Sequence, residues 1–384
     1  MAVGFPTKAN WAAGDILTAA QMDDLAGTVN TLSPVGQANG STLVADSSTS
    51  TGLRYTAGTV QSNPVLNSAF QIWQRGTSFT GASPYYCADR WTGARGGAVA
   101  GATWSRQVTG DTTNLPNIQY CIRISRTAGN TSTAILQTTQ SFETINSIPF
   151  AGKTVTLSYY ARKGANYSGG TLAASILTGT GTDENALFGY TGSAVPVSTG
   201  STLTTTWQRF TISGTIATTA TEMAVDFQWT PTGTAGAADY VDITGVQIDI
   251  GSVALPFRTY AGTLQGELAA CQRYYWRFGG DQGNQTFGSG NSAVSGTSYG
   301  NILHPVPMRV PATSLDYSLL MVNIMGLGAT AVTSAVLTSN LGSKQAQAIT
   351  LSHTGWPTGT TSAGSYLAVI AQSTSSYLGF SAEL

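Results

Sequence analysis

The sequence predicts an all-β protein with an N-terminal helix and linker, an antiparallel β-sandwich and a C-terminal β-sandwich-like tip domain. Three observations predict this class. Apolar and polar residues alternate with a period of two over several segments, which is the pattern of strands with one buried face. Gly, Pro, Asn and Ser separate these segments between residues 63 and 260. Residues 63–91 concentrate aromatic side chains, which need a core because each buries roughly 150–250 Å².

The alternation is clearest in four segments of the predicted sandwich: Ile118–Ser125, Thr154–Tyr159, Glu222–Trp229 and Tyr240–Ile250. In the last segment the apolar residues change phase around Gly245, which indicates a β-bulge. Strands at this spacing, with no helical pattern between them, are typical of two antiparallel sheets packed face to face. The opening stretch is predicted to form the first strand pair. Its aromatic anchors are Phe70, Trp73, Phe79 and Trp91.

Charge is scarce in this chain. Charged residues make up 9% of the sequence, against about 25% in ordinary soluble domains, and the net charge is −1. Such a chain has no basic field to hold nucleic acid. Its apolar runs are shorter than the roughly 18 residues of a membrane-spanning helix. We therefore expect neither nucleic-acid binding nor membrane insertion.

The three cysteines, Cys87, Cys121 and Cys271, lie far apart and form no Cys-x-x-Cys pair. This spacing supports neither a zinc site nor a redox motif, so we expect free thiols and no metal or cofactor. The segment Met1–Pro6 lacks the basic and apolar parts of a signal peptide. We expect synthesis in a reducing cytoplasm.

Residues 1–35 are predicted to attach the chain to another molecule. Thr18 and Gln21 have the spacing of a capping box, which marks the start of a helix. Apolar residues then recur at heptad-like spacing, and two aromatic residues precede the helix. The residues predicted to dock are Phe5, Trp11, Met22, Leu25, Val29 and Leu32. We favour contact with a docking protein or with copies of the same helix, and the alternative is a helix folded back on its own domain.

Gly and Ser punctuate residues 36–62, which we interpret as a linker to the sandwich of residues 63–260. A short helix is predicted between Gly262 and Tyr275. Its apolar side would carry Leu264, Leu268 and Cys271. The chain then returns to strand patterns, and residues 261–384 form the predicted C-terminal β domain.

Catalytic signals are weak. The chain has two histidines: His304 lies between apolar residues and is interpreted as structural, whereas His353 lies in a polar loop that we expect to be exposed. Asp183 and Glu184 are adjacent, and neighbouring strand residues point to opposite faces, which favours a turn over a pair of glycosidase carboxylates. The sequence contains no known nucleophile, metal or phosphate-binding motif. We predict that the protein is not an enzyme.

Sugar binding is the better supported chemistry. Sugars present apolar ring faces and many hydroxyl groups, which aromatic rings beside amide and hydroxyl side chains can bind. A Trp in a loop rich in Gly and Thr, such as Trp356, has few local neighbours to bury it. The candidate ligand-binding residues are Trp356, Trp276, Tyr299 and His353. Core packing is the competing interpretation for each aromatic residue.

Several segments resemble a known family. The run from Asn63-Pro64 through Phe70-x-Ile72-Trp73-Gln74-Arg75-Gly76, followed by Ala88-Asp89-Arg90-Trp91, resembles the opening of jelly-roll modules in bacteriophage tail fibres and minor tail proteins. Those modules are similar to the carbohydrate-binding modules of glycoside hydrolases. The run Val241–Gly251 resembles the end of the same module, and Ala13–Ala19 is similar to entry segments of phage fibres.

The resemblance implies a virion protein of the phage tail, assembled in the host cytoplasm and released by lysis. It also implies a homotrimer, with the N-terminus bound to other virion tail proteins and the C-terminal domain directed outward. Our leading hypothesis is a non-enzymatic protein that attaches to host surface polysaccharide. The alternative is a head fibre or capsid decoration protein with a purely structural role. A capsule depolymerase is the third hypothesis.

Overall fold

The computed structural model describes residues 62–80, 85–95, 101–115, 117–279, 282–294, 296–324, 328–354 and 366–384, together with two short strands before residue 62. The chain forms two compact units, residues 1–61 and residues 62–384. In the first unit, β1 (Thr42–Ala45) pairs antiparallel with β2 (Leu53–Thr56). The predicted docking residues Phe5, Trp11, Met22, Leu25, Val29 and Leu32 lie outside the described residues.

The first part of the second unit is a sandwich of two six-stranded antiparallel sheets. Its strands, in chain order, are β3 (Ser78–Thr80), β4 (Tyr85–Tyr86), β5 (Thr92–Arg95), β6 (Ala102–Val108), β7 (Tyr120–Arg126), β8 (Leu136–Ser141), β9 (Thr154–Lys163), β10 (Leu172–Gly179), β11 (Ala194–Ser201), β12 (Gln208–Thr215), β13 (Glu222–Trp229) and β14 (Tyr240–Ile250). The first sheet has the order β12-β9-β14-β7-β6-β3, and the second has the order β11-β10-β13-β8-β5-β4. The predicted all-β class is confirmed.

The core lies between the two sheets and is built by the period-two alternation. The predicted inward residues of three strands are buried except for the half-buried Tyr120 at the start of β7: Ile122 and Ile124 of β7, Val155, Leu157 and Tyr159 of β9, and Met223, Val225, Phe227 and Trp229 of β13. The bulge predicted at Gly245 is also confirmed, because the register of β14 against β9 shifts between Thr244 and Gln247. The three cysteines are buried free thiols, as expected.

The opening stretch differs from its prediction. It forms no strand pair, because β3 pairs with β6 in the first sheet and β4 pairs with β5 in the second. Before β3 the chain turns, with Asn67 and Phe70 at positive φ values of 50° and 52°. The Asn67 side chain fixes this turn: its Oδ1 accepts from the Ile72 amide at 2.9 Å and its Nδ2 donates to the Ile72 carbonyl at 2.8 Å. The four predicted aromatic anchors still pack into or against the core, so the stretch joins the two sheets.

Short helices connect the strands. They are α1 (Thr144–Ser147), α2 (Leu264–Gln272) and two 3₁₀ helices, Ile148–Phe150 and Ala186–Phe188. The helix predicted between Gly262 and Tyr275 is confirmed by α2, which the Thr263 hydroxyl caps by accepting from the Gly266 amide at 3.2 Å. Its predicted apolar side is only partly right. Cys271 is buried, whereas the Leu264 side chain is exposed and Glu267 takes the second buried position.

The second part of this unit contains a small sheet and a closed barrel. Its strands are β15 (Tyr275–Gly279), β16 (Thr286–Val294), β17 (Thr297–Leu303), β18 (Ser314–Ser318), β19 (Leu320–Ile324), β20 (Gly328–Gly342), β21 (Ala346–His353), β22 (Tyr366–Ala371) and β23 (Tyr377–Ser381). The small sheet has the order β15-β23-β18, and the barrel has the order β16-β17-β21-β20-β19-β22. The tip differs from a sandwich because β16 pairs with both β17 and β22, which closes the sheet on itself.

No helix in the described ranges has the length and apolar character needed to cross a membrane.

A buried ion pair joins the two parts of this unit. Glu383, which follows β23, contacts Arg90 of the sandwich, and their side chains are 5% and 2% exposed. The Arg90 guanidinium also donates to the Ser141 carbonyl at 2.6 Å and lies 3.6 Å from the ring centre of Tyr274. Arg75 lies 3.4 Å from the same carboxylate. The residues after β23 are therefore held against the sandwich by the buried ion pair between Glu383 and Arg90.

Replacing Glu383 by Gln should destabilise the protein strongly. The variant leaves Arg90 buried without its counter-charge, and such a loss costs about 3–5 kcal/mol. Urea unfolding should show the decrease in the free energy of unfolding. Glu184→Gln is the matched control, because Glu184 accepts hydrogen bonds from Thr191 at an exposed position, and its effect should stay below about 1 kcal/mol. Equal effects of the two substitutions would contradict the role of the buried pair.

Stability should also depend on the ionisation of Asp89. Burial raises the pKa of this carboxyl to about 6, against about 3.9 in an unfolded chain. The folded state therefore binds more protons between these values, and the free energy of unfolding falls as the pH rises from about 4 to about 6. Asp89→Asn should remove this decrease, which is on the order of 3 kcal/mol. Unfolding curves for both proteins at several pH values measure it.

Asp111→Asn provides a control of opposite sign. Hydrogen bonds from Asn114 lower the pKa of Asp111, so this carboxyl stabilises the folded state above its unfolded pKa and loses that contribution as the pH falls. Identical pH slopes for the native protein and Asp89→Asn would show that Asp89 is not the titrating group.

Candidate functional site

The outer face of the second sheet carries a cluster of polar side chains. In β13, Val225, Phe227 and Trp229 point into the core, so Asp226 and Gln228 point outward. The register of β13 with β8 places Asp226 opposite Thr139 and Gln228 opposite Gln137. We call these four residues, Gln137, Thr139, Asp226 and Gln228, the polar floor.

Asp226 organises the polar floor. Its Oδ1 accepts from Gln137 Nε2 at 2.7 Å and from the Thr139 hydroxyl at 2.5 Å, and its Oδ2 accepts from Gln228 Nε2 at 2.7 Å. The residue is 2% exposed, and no Arg or Lys in the described part of the chain forms an ion pair with it. Burial raises the pKa of Asp226, and the hydrogen bonds from Thr139, Gln137 and Gln228 act in the opposite direction.

These contacts fix the orientation of both glutamine amides. A carboxylate only accepts hydrogen bonds, so each glutamine must turn its nitrogen toward Asp226. The Oε1 atoms of Gln137 and Gln228 are then the groups that the half-buried side chains can offer to a ligand. Two carbonyl oxygens on adjacent strands form a pair of acceptors for hydroxyl groups.

The polar character continues across the neighbouring strands. Ser175 of β10 lies opposite Asp226 in register, and its hydroxyl lies 3.1 Å from the hydroxyl of Ser198 on β11. The row Ser198, Ser175, Asp226 and Thr139 therefore crosses four strands. At about 4.8 Å between strands it spans on the order of 15 Å; Ser198 is its exposed member, and Ser175, Asp226 and Thr139 are buried.

An exposed aromatic ring borders this face. Phe188 is 78% exposed at the end of the 3₁₀ helix Ala186–Phe188. Asn185 caps this turn by accepting from the Leu187 amide at 3.0 Å, and the Ala186 amide donates to the Ser141 hydroxyl at 3.0 Å. Ser141 lies two residues along β8 from Thr139, on the same side of the strand. The sequence therefore places an exposed ring near the Ser141 end of β8, four residues or roughly 13 Å along the strand from Gln137.

The structure corrects two of the predicted ligand-binding residues. Trp276 is 2% exposed; its ring stacks on Phe380 at 5.6 Å and its Nε1 donates to His304 Nδ1. His353, expected to be exposed, is 6% exposed, and its Nε2 lies 3.1 Å from the Ser298 hydroxyl. Both side chains belong to the interior because distant strands cover them, so neither presents a ring to a ligand.

The other predictions have different outcomes. Tyr299 is 38% exposed on the outside of β17, and its role in binding stays a prediction. Trp356 lies outside the described residues. The structural interpretation of His304 is supported by its bond from Trp276, and burial lowers the pKa of His304 to about 4, so the ring is neutral near neutral pH.

The adjacent carboxylates Asp183 and Glu184 have separate partners. Asp183 pairs with Arg309 at 3.1 Å, and Glu184 accepts from the Thr191 amide at 2.7 Å and from its hydroxyl at 2.6 Å. Asp183 has a positive φ of 52°, which belongs to a turn. These contacts give each side chain its own structural partner, and the backbone at Asp183 is in line with the predicted turn.

Comparisons with known proteins report distant likenesses. No protein-family model matches the chain, and no curated protein matches it significantly. The enzymatically active domain of tailspike protein 4 from bacteriophage CBA120 is 13% identical at a TM-score of 0.31, over 49% of this chain and 21% of that chain. A putative sugar-binding protein from Bacteroides thetaiotaomicron is 12% identical at a TM-score of 0.28, over 49% of this chain and all of that chain.

A xylan-binding domain from carbohydrate-binding module family 22 is 13% identical at a TM-score of 0.28, over 47% of this chain and 99% of that chain. The chain thus spans about a fifth of the tailspike domain and nearly the whole of the two sugar-binding proteins. TM-scores this low do not establish a common fold, so the fold of this chain rests on its own strands and pairings.

Proposed function

We propose that the chain is a non-enzymatic carbohydrate-binding protein of a bacteriophage virion, a tail fibre or minor tail protein that attaches to host surface polysaccharide. The observation that carries the binding proposal is the polar floor, where one buried carboxylate holds two glutamine amides; the exposed ring of Phe188 lies toward the Ser141 end of β8. The place in the phage tail rests on the sequence resemblance of Asn63–Trp91 and Val241–Gly251.

In this proposal the two glutamines, Phe188 and Asp226 have different roles in binding the sugar. Sugar hydroxyls donate to the Oε1 atoms of Gln137 and Gln228, and the ring of Phe188 packs on an apolar sugar face. Asp226 is a positioning residue, because it touches the glutamine amides and is itself 2% exposed. Neutral hydrogen-bonding groups bind hydroxyl groups without the desolvation cost that charged groups carry.

The spacing of carboxylates supports binding without hydrolysis. Glycosidases use two carboxyl groups about 5–9.5 Å apart. The next outward carboxylate on β13, Glu222, is four residues from Asp226, which is roughly 13 Å along a strand. Glu222 is also engaged by the Asp183 amide at 2.7 Å and by the Thr144 hydroxyl.

The proposed virion arrangement places residues 1–35 on other tail proteins, assembles three copies and directs the C-terminal barrel outward. Immunolabelling of intact particles tests the location: label at the tail supports the proposal. Label on the head would favour the alternative, a head fibre or capsid decoration protein. A monomer mass for the full-length chain in solution would contradict the trimer.

Removing the glutamine side chains of the floor should weaken polysaccharide binding. In the double variant Gln137→Ala/Gln228→Ala, two hydrogen bonds of about 0.5–1.5 kcal/mol each are lost, so affinity should fall roughly tenfold to hundredfold. The measurement is binding of the full-length protein to an array of immobilised bacterial and plant polysaccharides, followed by titration of the best ligand. Gln119→Ala, an exposed glutamine beside the first sheet, is the matched control and should bind normally.

The same ligand tests the absence of catalysis. Prolonged incubation of the native protein with the polysaccharide that it binds should leave the chain-length distribution unchanged in size-exclusion chromatography. Shortened chains would identify a depolymerase and contradict the non-enzymatic proposal.

A further inference from the structure

The outer wall of the barrel is unusual in its lack of charge. None of the residues in its six strands, β16, β17 and β19 to β22, is Asp, Glu, Lys or Arg. The one histidine in these strands, His353, is buried. Solvated surfaces of soluble domains normally carry both signs of charge at about a quarter of their positions or more. The strands of the barrel therefore present neutral side chains, and Lys344 is exposed in the turn between β20 and β21.

Tyr299 lies in the middle of this wall. The burial of β17 alternates, with Ser298 and Ile302 buried and Tyr299 and Asn301 exposed. In register, Tyr299 lies opposite Asn291 of β16 and opposite Thr350 of β21. We call Asn291, Tyr299, Asn301 and Thr350 the Tyr299 patch.

The distances within the patch follow from strand geometry. Side chains directly opposite each other have Cβ atoms about 4.5–5.5 Å apart, so Asn291 and Thr350 flank the ring on both sides. Asn301 follows on the same face at about 6.6 Å along the strand. Asn291 and Asn301 are exposed. Asn291 Nδ2 donates to the Ser292 carbonyl at 3.5 Å, which leaves its second N–H and its oxygen for a ligand.

We infer that the Tyr299 patch is a second carbohydrate-binding site, separate from the polar floor, that takes an uncharged polysaccharide. The tyrosine ring packs on the apolar face of a sugar, and the amides of Asn291 and Asn301 bind its hydroxyl groups. The wall offers no cation to pair with the carboxylates of an acidic polymer and no anion to pair with amino groups. This inference rests on the proposed function, because it assigns a class of polysaccharide to a protein that we propose binds carbohydrate.

A second copy of the chain is the competing occupant of this wall. Leu303 and Val336 are exposed on it, at 76% and 56%, and apolar side chains also suit protein interfaces. The exposed asparagines beside the ring favour a sugar, because an apolar interface would bury their amides without partners. The mass of the protein in solution distinguishes the two occupants, because a contact between copies through this wall would be lost in Tyr299→Ala and the mass would fall.

The experiment uses the full-length protein with dextran and mixed-linkage β-glucan as neutral polymers and hyaluronan as the acidic polymer. The native protein should bind at least one neutral polymer, and Tyr299→Ala should weaken that binding about tenfold. Tyr299→Phe keeps the ring and should stay within about threefold of the native protein. Tyr260→Ala is the matched control, because Tyr260 is 42% exposed outside the barrel, and it should bind normally. Light scattering should give one mass for all four proteins.

Three results would overturn the inference. The first is unchanged neutral-polymer binding in Tyr299→Ala while Gln137→Ala/Gln228→Ala weakens it, which would leave the proposed function intact. The second is a lower mass for Tyr299→Ala, which would make the wall a contact between copies. The third is hyaluronan binding that depends on Tyr299. If the native protein binds none of these polymers and no polysaccharide on the wider array, both the proposed function and this inference are contradicted.

Discussion

A buried charge needs a partner, and this chain satisfies that requirement with very few charges. Asp242 lies between Arg123 and Arg162, at 2.7 Å and 2.8 Å, and its side chain is inaccessible. Two further carboxylates without accessible side chains pair with arginines in the same sandwich, and Glu383 pairs with Arg90 where the barrel meets it. Because an unpaired charge in the interior is costly, the ionic groups are committed to holding strands and joints together. The strands of the barrel carry no charged residue and present amides, hydroxyl groups and rings instead.

This distribution determines the chemistry that the surfaces can perform. In the polar floor, Asp226 is a buried carboxylate that accepts hydrogen bonds from three neutral side chains, Gln137, Thr139 and Gln228. Its contribution is orientation, since it decides which end of each glutamine amide faces outward. Recognition by such surfaces depends on shape and hydrogen-bond direction, and salt should affect it far less than it affects binding between charged groups.

The alternation of residues was enough to predict the sandwich, its inward side chains and the bulge at Gly245, because period and phase are local properties of a strand. The polar floor could not be predicted in this way. Asp226 and Gln137 are separated by 89 positions and meet only through the register of two strands. Trp276 and His353 were misjudged for the same reason: residues that contact them, Phe380 for Trp276 and Ser298 for His353, lie far along the chain.

The joint at Glu383 has a mechanical consequence. The chain enters the distal part through α2 and β15, and β23 returns beside β15 before Glu383 re-enters the sandwich. A part attached at one point swivels about that point, whereas attachment at two neighbouring points resists torque. A pull on the barrel would thus be shared between the backbone at residues 272–275, the ion pair at Arg90 and further contacts such as the Arg309–Asp183 pair. A torque applied to the barrel would therefore be transmitted to the sandwich with little rotation of one part against the other.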